Sequence, residues 1–114
     1  MGNDFEILMS FLSHSGSIKI LYCLKNGAKR PKEIVEETKM DKTIVWRRVK
    51  ELFKIGLIEV TIRHDTPTGT KAYQLSPLGR KIVKMLEQME EEFTKYHLEE
   101  PREPEKFLKF KEEG

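Results

Sequence analysis

At Gly56 the apolar pattern of this 114-residue chain changes period, and that change limits what the chain can fold into. Before it, Val45, Val49 and Leu52 lie at i, i+4 and i+7, one stripe of a helix. After it, Ile58-Glu59-Val60-Thr61-Ile62-Arg63 alternates apolar with polar, as a half-buried strand requires. His64-Asp65-Thr66-Pro67-Thr68-Gly69 is a turn cluster. Lys71-Ala72-Tyr73-Gln74-Leu75 alternates again, so the pair reads as a β-hairpin. Ser76-Pro77 then reopens a helix, Ser at the cap and Pro in the first turn, and that helix continues to about Leu98. The expected fold is mainly α within an α+β frame, with one hairpin between helices.

The residues before position 45 supply three more helices. Phe5, Leu8, Met9 and Leu12 recur at helical spacing and predict a helix over 4–13. His14-Ser15-Gly16-Ser17 breaks it. A second helix over 17–26 would turn Ile18, Leu21, Tyr22 and Cys23 or Leu24 inward and end at Asn26-Gly27. Pro31 suits the first turn of a third helix, 31–38, with Ile34 and Val35 inward. Asp41 is the expected N-cap of a fourth, from Lys42 to Ile55. The end of the chain, with prolines at 101 and 104, reads as extended or partly ordered.

Charge is segregated beneath a formal total of only +2. Residues 42–82 hold nine bases against three acids, whereas residues 87–114 hold ten acids against five bases. A basic middle attracts polyanions and an acidic end repels them. Charged residues make up 35% of the chain while Asn and Gln number two each, a trend of proteins from hot environments. No stretch approaches the roughly 18–20 apolar residues of a membrane span, and no basic stretch leads from Met1–Asp4 into a long apolar run. The one cysteine, Cys23, cannot make an intrachain disulfide or a multi-cysteine zinc site. These features point to the cytoplasm.

A short helix, a tight turn at 39–41 and a longer helix make residues 31–56 a helix-turn-helix, whose second helix commonly enters the DNA major groove. One face of that helix carries Thr43, Trp46, Arg47, Lys50 and Lys54 and no acid. A solvated face more often mixes signs, because acid–base pairs one turn apart stabilise it. Arg and Lys can bind guanine edges or phosphates, and Thr can bind bases or phosphates. Lys42 begins the same helix, and Arg63, His64 and Lys71 flank the hairpin tip, where a basic wing can reach the neighbouring minor groove or backbone. Trp46 would cover a thymine methyl or a sugar, or else pack on a protein surface.

These segments resemble a known family. Glu33-Ile34-Val35 through Asp41-Lys42-Thr43-Ile44-Val45 to Leu52-Phe53-Lys54-Ile55-Gly56-Leu57-Ile58 looks like the winged helix-turn-helix of ArsR/MarR-type transcriptional regulators. The pattern continues in Tyr73-Gln74-Leu75-Ser76-Pro77-Leu78-Gly79, and the resemblance covers about residues 15–97. It implies a homodimer that binds double-stranded DNA, with recognition-helix contacts at Lys42, Thr43, Trp46, Arg47 and Lys50 and wing contacts at Arg63, His64 or Lys71. Trp46 stands where a small residue is usual. Residues 41–50 lack the paired cysteines of metal-sensing relatives.

Ile82, Leu86, Met89, Phe93 and Tyr96 follow spacings of 4, 3, 4 and 3, a heptad seam suited to a dimer interface. Packing against the chain's own helices is the alternative use of that stripe. The expected organisation is an N-terminal helix at 1–14 as a further dimer contact, a DNA-binding domain at 15–78, a dimerisation helix at 79–98 and a charged tail at 99–114. Phe107, Leu108 and Phe110 of that tail would dock on the body or on a partner subunit.

No catalytic constellation is present: no ordered Ser/His/Asp set, phosphate-cradling glycine loop or paired carboxylates. His14, His64 and His97 are too scattered for a metal set, so neither metal nor cofactor is expected. Cys23, among Ile20, Leu21 and Leu24, suits a buried apolar thiol rather than a redox sensor. A cavity at a dimer interface could hold a small-molecule effector, which the sequence does not identify. The competing functional class is a winged helix that binds protein and reads no DNA.

Overall fold

The computed structural model describes residues 2–99. Helices α1 (Gly2–Ser13) and α2 (Ser17–Cys23), the latter extended by a 3-10 turn at Leu24–Asn26, lead into α3 (Pro31–Thr38) and α4 (Lys42–Lys54). Strands β1 (Ile58–Arg63) and β2 (Thr70–Leu75) form an antiparallel hairpin in which Ile58 faces Leu75 and Arg63 faces Thr70. Helix α5 spans Pro77–Glu99. Lys29 adds an isolated bridge to Tyr73 on the outer edge of β2, tying the approach to α3 into the hairpin. The charged tail beyond Glu99, including Phe107, Leu108 and Phe110, lies outside the described residues.

The chain divides into two compact units, the first ending at Val83 and the second beginning at Lys84. The first has its core where α2, α3, α4 and the base of the hairpin meet: Ile20, Leu21, Leu24, Ile34, Val45, Val49, Leu52, Leu57 and Ile58 are essentially excluded from water. Each such side chain contributes on the order of 1.5–3 kcal/mol by leaving water. The second unit is described from Lys84 to Glu99, all within α5.

The caps form as local chemistry dictates. The Asp41 carboxylate accepts the Thr43 N–H at 2.8 Å and starts α4. Glu33 accepts the Arg30 backbone N–H at 2.8 Å, satisfying an orphan donor at the start of α3. Gly56 ends α4 at φ +82°, a conformation costly for any residue with a Cβ.

Three inward faces differ from the sequence expectation. In α2, Ile20 is buried and Ile18 is exposed, because the covered stripe is Ser17, Ile20, Leu21 and Leu24 at i, i+3, i+4 and i+7. In β1, Val60 and Ile62 are exposed, so the alternation marks an apolar face that only Ile58, at the base, buries within this chain. In α1, Leu12 alone is buried, and Phe5 and Met9 stay exposed. Ile7 and Leu8 line an apolar groove of about 270 Å³ with Ile55, Leu57, Leu78 and Ile82.

A compact junction locks the hairpin and the first turn of α5 to the end of α4. The Ser76 hydroxyl donates to the Gly56 carbonyl at 2.6 Å and accepts the Gly79 N–H at 2.9 Å, while the Ser76 N–H donates to the Leu57 carbonyl at 3.0 Å. The backbone at Gly79 runs so close to Leu57 that a Cβ there would lie 1.9 Å from the Leu57 carbonyl oxygen. Gly79→Ala is therefore expected to cost about 3 kcal/mol or more, the upper end of overpacking penalties. Thermal unfolding followed by circular dichroism should show a fall in Tm on the order of 10 °C or more; an unchanged Tm would refute the close-approach role.

Candidate nucleic-acid interface

Helix α4 presents its buried stripe, Val45, Val49 and Leu52, to the core, and this orients the opposite face outward. Thr43, Trp46, Arg47, Lys50 and Lys54 are all exposed there, and Lys42 is exposed at the start of the helix. Glu51, the one acid within α4, is drawn away from them. Its carboxylate takes the His14 ring Nδ1 at 2.9 Å and the Arg48 guanidinium at 3.0 Å, and Arg48 also donates to the Ser15 carbonyl at 2.8 Å. Burial pushes the Glu51 carboxyl up, but the His14 hydrogen bond and the Arg48 charge outweigh it and hold the carboxyl below its ordinary value. Arg48 is thus spent on structure, and the outward face carries no acid.

Trp46 is held between recognition helix and wing. Its ring meets Tyr73 of β2 edge-on, with centroids 6.5 Å apart, and the Lys50 ammonium lies 5.7 Å from its centroid. Lys71 sits 5.8 Å from the Tyr73 centroid, so the basic groups of helix and wing converge on one aromatic pair. The cleft between them, about 290 Å³, is lined by Val49, Lys50, Phe53, Val60, Lys71 and Tyr73. A second cleft, about 360 Å³, opens between α3 and α4 and is lined by Pro31, Lys32, Val35, Lys42, Val45 and Trp46. Sequence reasoning passed over Lys32, Phe53 and the first turn of α3. Phe53 lies seven residues after Trp46, two helical turns on, which was the available signal.

The three wing residues separate. His64 and Lys71 are exposed near the tip, whereas Arg63 is committed to neighbours within the chain. Arg63 pairs with Glu33 of α3 and reaches Asp65 at 2.9 Å, and the Thr70 hydroxyl donates to Asp65 at 3.0 Å across the mouth of the hairpin. The Arg30 backbone N–H, reinforced by the side chains of Arg30 and Arg63, holds the Glu33 carboxyl low. The Thr70 hydroxyl and then the Arg63 charge do the same for Asp65. Arg63 therefore works as a latch between wing and α3.

On α5, Ile82 and Leu86 are half-buried, while Met89, Phe93 and Tyr96 are exposed, and Phe93 and Tyr96 both pack on His97. Among the described residues no three His, Cys, Asp or Glu side chains gather into a metal-ligand set. No single described helix is long and apolar enough to cross a membrane; α1 and α2 together have the required apolar content but are bent by 81°.

Residues 12–101 match the family model described as HxlR-like helix-turn-helix. Among solved structures, the reduced form of the transcriptional regulator YodB from B. subtilis is 25% identical, with a TM-score of 0.70, over 86% of this chain and 94% of that one. A MarR-family structure from Enterococcus faecalis V583 gives a TM-score of 0.74 at 16% identity, covering 90% of this chain and 94% of its own. The homodimeric winged helix-turn-helix DNA-binding domain of Mb0332 from Mycobacterium bovis gives 0.61 at 21% identity, covering 89% and 87%. No curated protein sequence matches the chain.

Cys23, at the end of α2, is a buried free thiol. Its Sγ donates to the Glu37 carboxylate at 3.0 Å. Burial first, and then Glu37, push its pKa up to about 12. Alkylation by iodoacetamide in the native protein should therefore stay slow through pH 9 and accelerate only toward pH 12. A raised folded-state value favours the thiol, so its stabilising contribution is complete below pH 9 and is lost as pH climbs to about 12. Rapid native-state alkylation at pH 8 would contradict the buried, protonated assignment.

Proposed function

Because this chain belongs to the HxlR-like helix-turn-helix family, whose members are DNA-binding transcriptional regulators, we propose how its own residues carry that role. Helix α4 enters the major groove through Lys42, Thr43, Trp46, Arg47, Lys50 and Lys54, while His64 and Lys71 of the wing reach the flanking backbone or minor groove. The observation that carries this reading is the acid-free outward face of α4, kept so by the capture of Glu51 with His14 and Arg48. Arg63 contributes by holding the wing rather than by meeting DNA itself.

The working unit is a homodimer. The exposed Met89, Phe93 and Tyr96 continue the seam of Ile82 and Leu86 along α5, and a paired helix would cover them. The apolar groove that joins Ile7 and Leu8 to Leu78 and Ile82 supports a share for α1. Two-fold pairing would set recognition helices about 34 Å apart, one turn of DNA. In this division residues 15–78 bind DNA and 79–98 pair subunits. The setting is cytoplasmic, and the high charge with few amides suits a thermophilic source. Any small-molecule effector would act without a Cys23 thiolate, given the elevated pKa of that thiol.

The exposed Phe53, Val60 and Ile62 favour one other reading, a protein partner on the same surface. Titration of duplex DNA at two salt concentrations separates the two. Arg47→Ala and Lys50→Ala should each weaken binding, by about 1–3 kcal/mol where a base contact is lost and with a salt slope shallower by roughly one where a phosphate contact is lost. Unchanged affinity in both variants would refute the recognition-helix assignment. Separately, Leu86→Glu with Phe93→Glu should give monomers in light scattering; a persistent dimer would refute the seam.

A further inference from the structure

We propose that Trp46 is a specificity-determining residue that reads the 5-methyl group of a pyrimidine in the major groove. The proposal rests on the DNA-binding reading above and names what the recognition helix selects. Trp46 is 44% exposed and sits between Thr43 and Lys50 on the face of α4 assigned to base edges. Tyr73 supports its ring at one side and Lys50 lies beside it, so the indole is positioned before any partner arrives. On the α3 side it lines the cleft shared with Pro31, Val35 and Val45, to which the exposed Lys32 and Lys42 also contribute.

The chemistry of that cleft narrows its occupant. Every base edge in the major groove offers hydrogen-bonding atoms, and the only apolar group there is the methyl at C5 of thymine, shared by 5-methylcytosine. The side chains of Pro31, Val35 and Val45 give a carbonyl or amino group no partner, and burying such a group unpaired against them is costly. A methyl loses nothing and gains the contact. Lys32 and Lys42, exposed and in the lining of the same cleft, suit the phosphates that flank a base edge. The two methyl sources are thymine and 5-methylcytosine, and they are separable by synthesis.

The test uses the full chain. Duplexes bound from a random pool define a site. Each thymidine in that site is then replaced singly by deoxyuridine, and in a second series each deoxycytidine by its 5-methyl form. Affinity is read by fluorescence anisotropy for the wild type, Trp46→Ala and Trp46→Phe, with circular dichroism confirming that each variant is folded. One thymidine per half-site should lose about fourfold in affinity on demethylation, the worth of one buried methyl. If the occupied position is instead cytosine, methylation there should raise affinity by a similar factor. Trp46→Ala should abolish the methyl effect while salt-sensitive binding persists, and Trp46→Phe should retain part of it. Binding with no methyl effect at any position, or a methyl effect undiminished in Trp46→Ala, would overturn the proposal and leave the DNA-binding reading standing. No salt-sensitive binding to any duplex would overturn both.

Discussion

The fold hangs on one junction, where Ser76 and Gly79 grip the chain reversal at Gly56-Leu57. One hydroxyl serves as donor to the Gly56 carbonyl and as acceptor for the first turn of α5, and the missing side chain at Gly79 lets that helix approach the Leu57 carbonyl. The junction sets three directions at once: where α4 stops, how the hairpin leaves it, and where α5 starts. These bonds fix the corner from which the hairpin leaves α4, and so help recognition helix and wing to share a surface. The bridge between Lys29 and Tyr73 fastens the same hairpin to the approach of α3.

Electrostatics is organised by sorting charges rather than by accumulating them. Arg48 and Arg63 are engaged with carboxylates inside the chain, and those pairings keep Glu51 and Glu33 from neutralising the outward face. Such part-exposed pairs contribute little stability each. Their larger effect is positional: they fix α4 against the α1–α2 turn and the wing against α3, and they leave Arg47, Lys50, Lys54 and Lys71 facing out. The formal charge of +2 conceals this sorting.

Much of the architecture was legible along the chain. Pro31, Asp41, Gly56 and Ser76-Pro77 mark element ends because capping is local chemistry between residues two to four apart. The inward stripe of α4 was legible because Val45, Val49 and Leu52 all reach one core. The same logic failed at Ile18, Val60 and Ile62. Periodicity identifies an apolar face but not whether the chain itself can cover it, and in β1 it covers only the base.

The amino-acid sequence by itself determined the order of elements, their caps, the helix-turn-helix with its wing, and the segregation of charge. Caps and stripes depend on residues within a turn or two of one another, and element order and charge segregation can be read by position along the chain. Tertiary structure alone decided which bases remain outward, that Arg63 latches to Glu33 across 30 positions, that His14 captures Glu51 across 37, and that Trp46 stands against Tyr73. Side chains so far apart along the chain compete for partners only once the core has brought their helices and strands together, and no spacing rule carries that information.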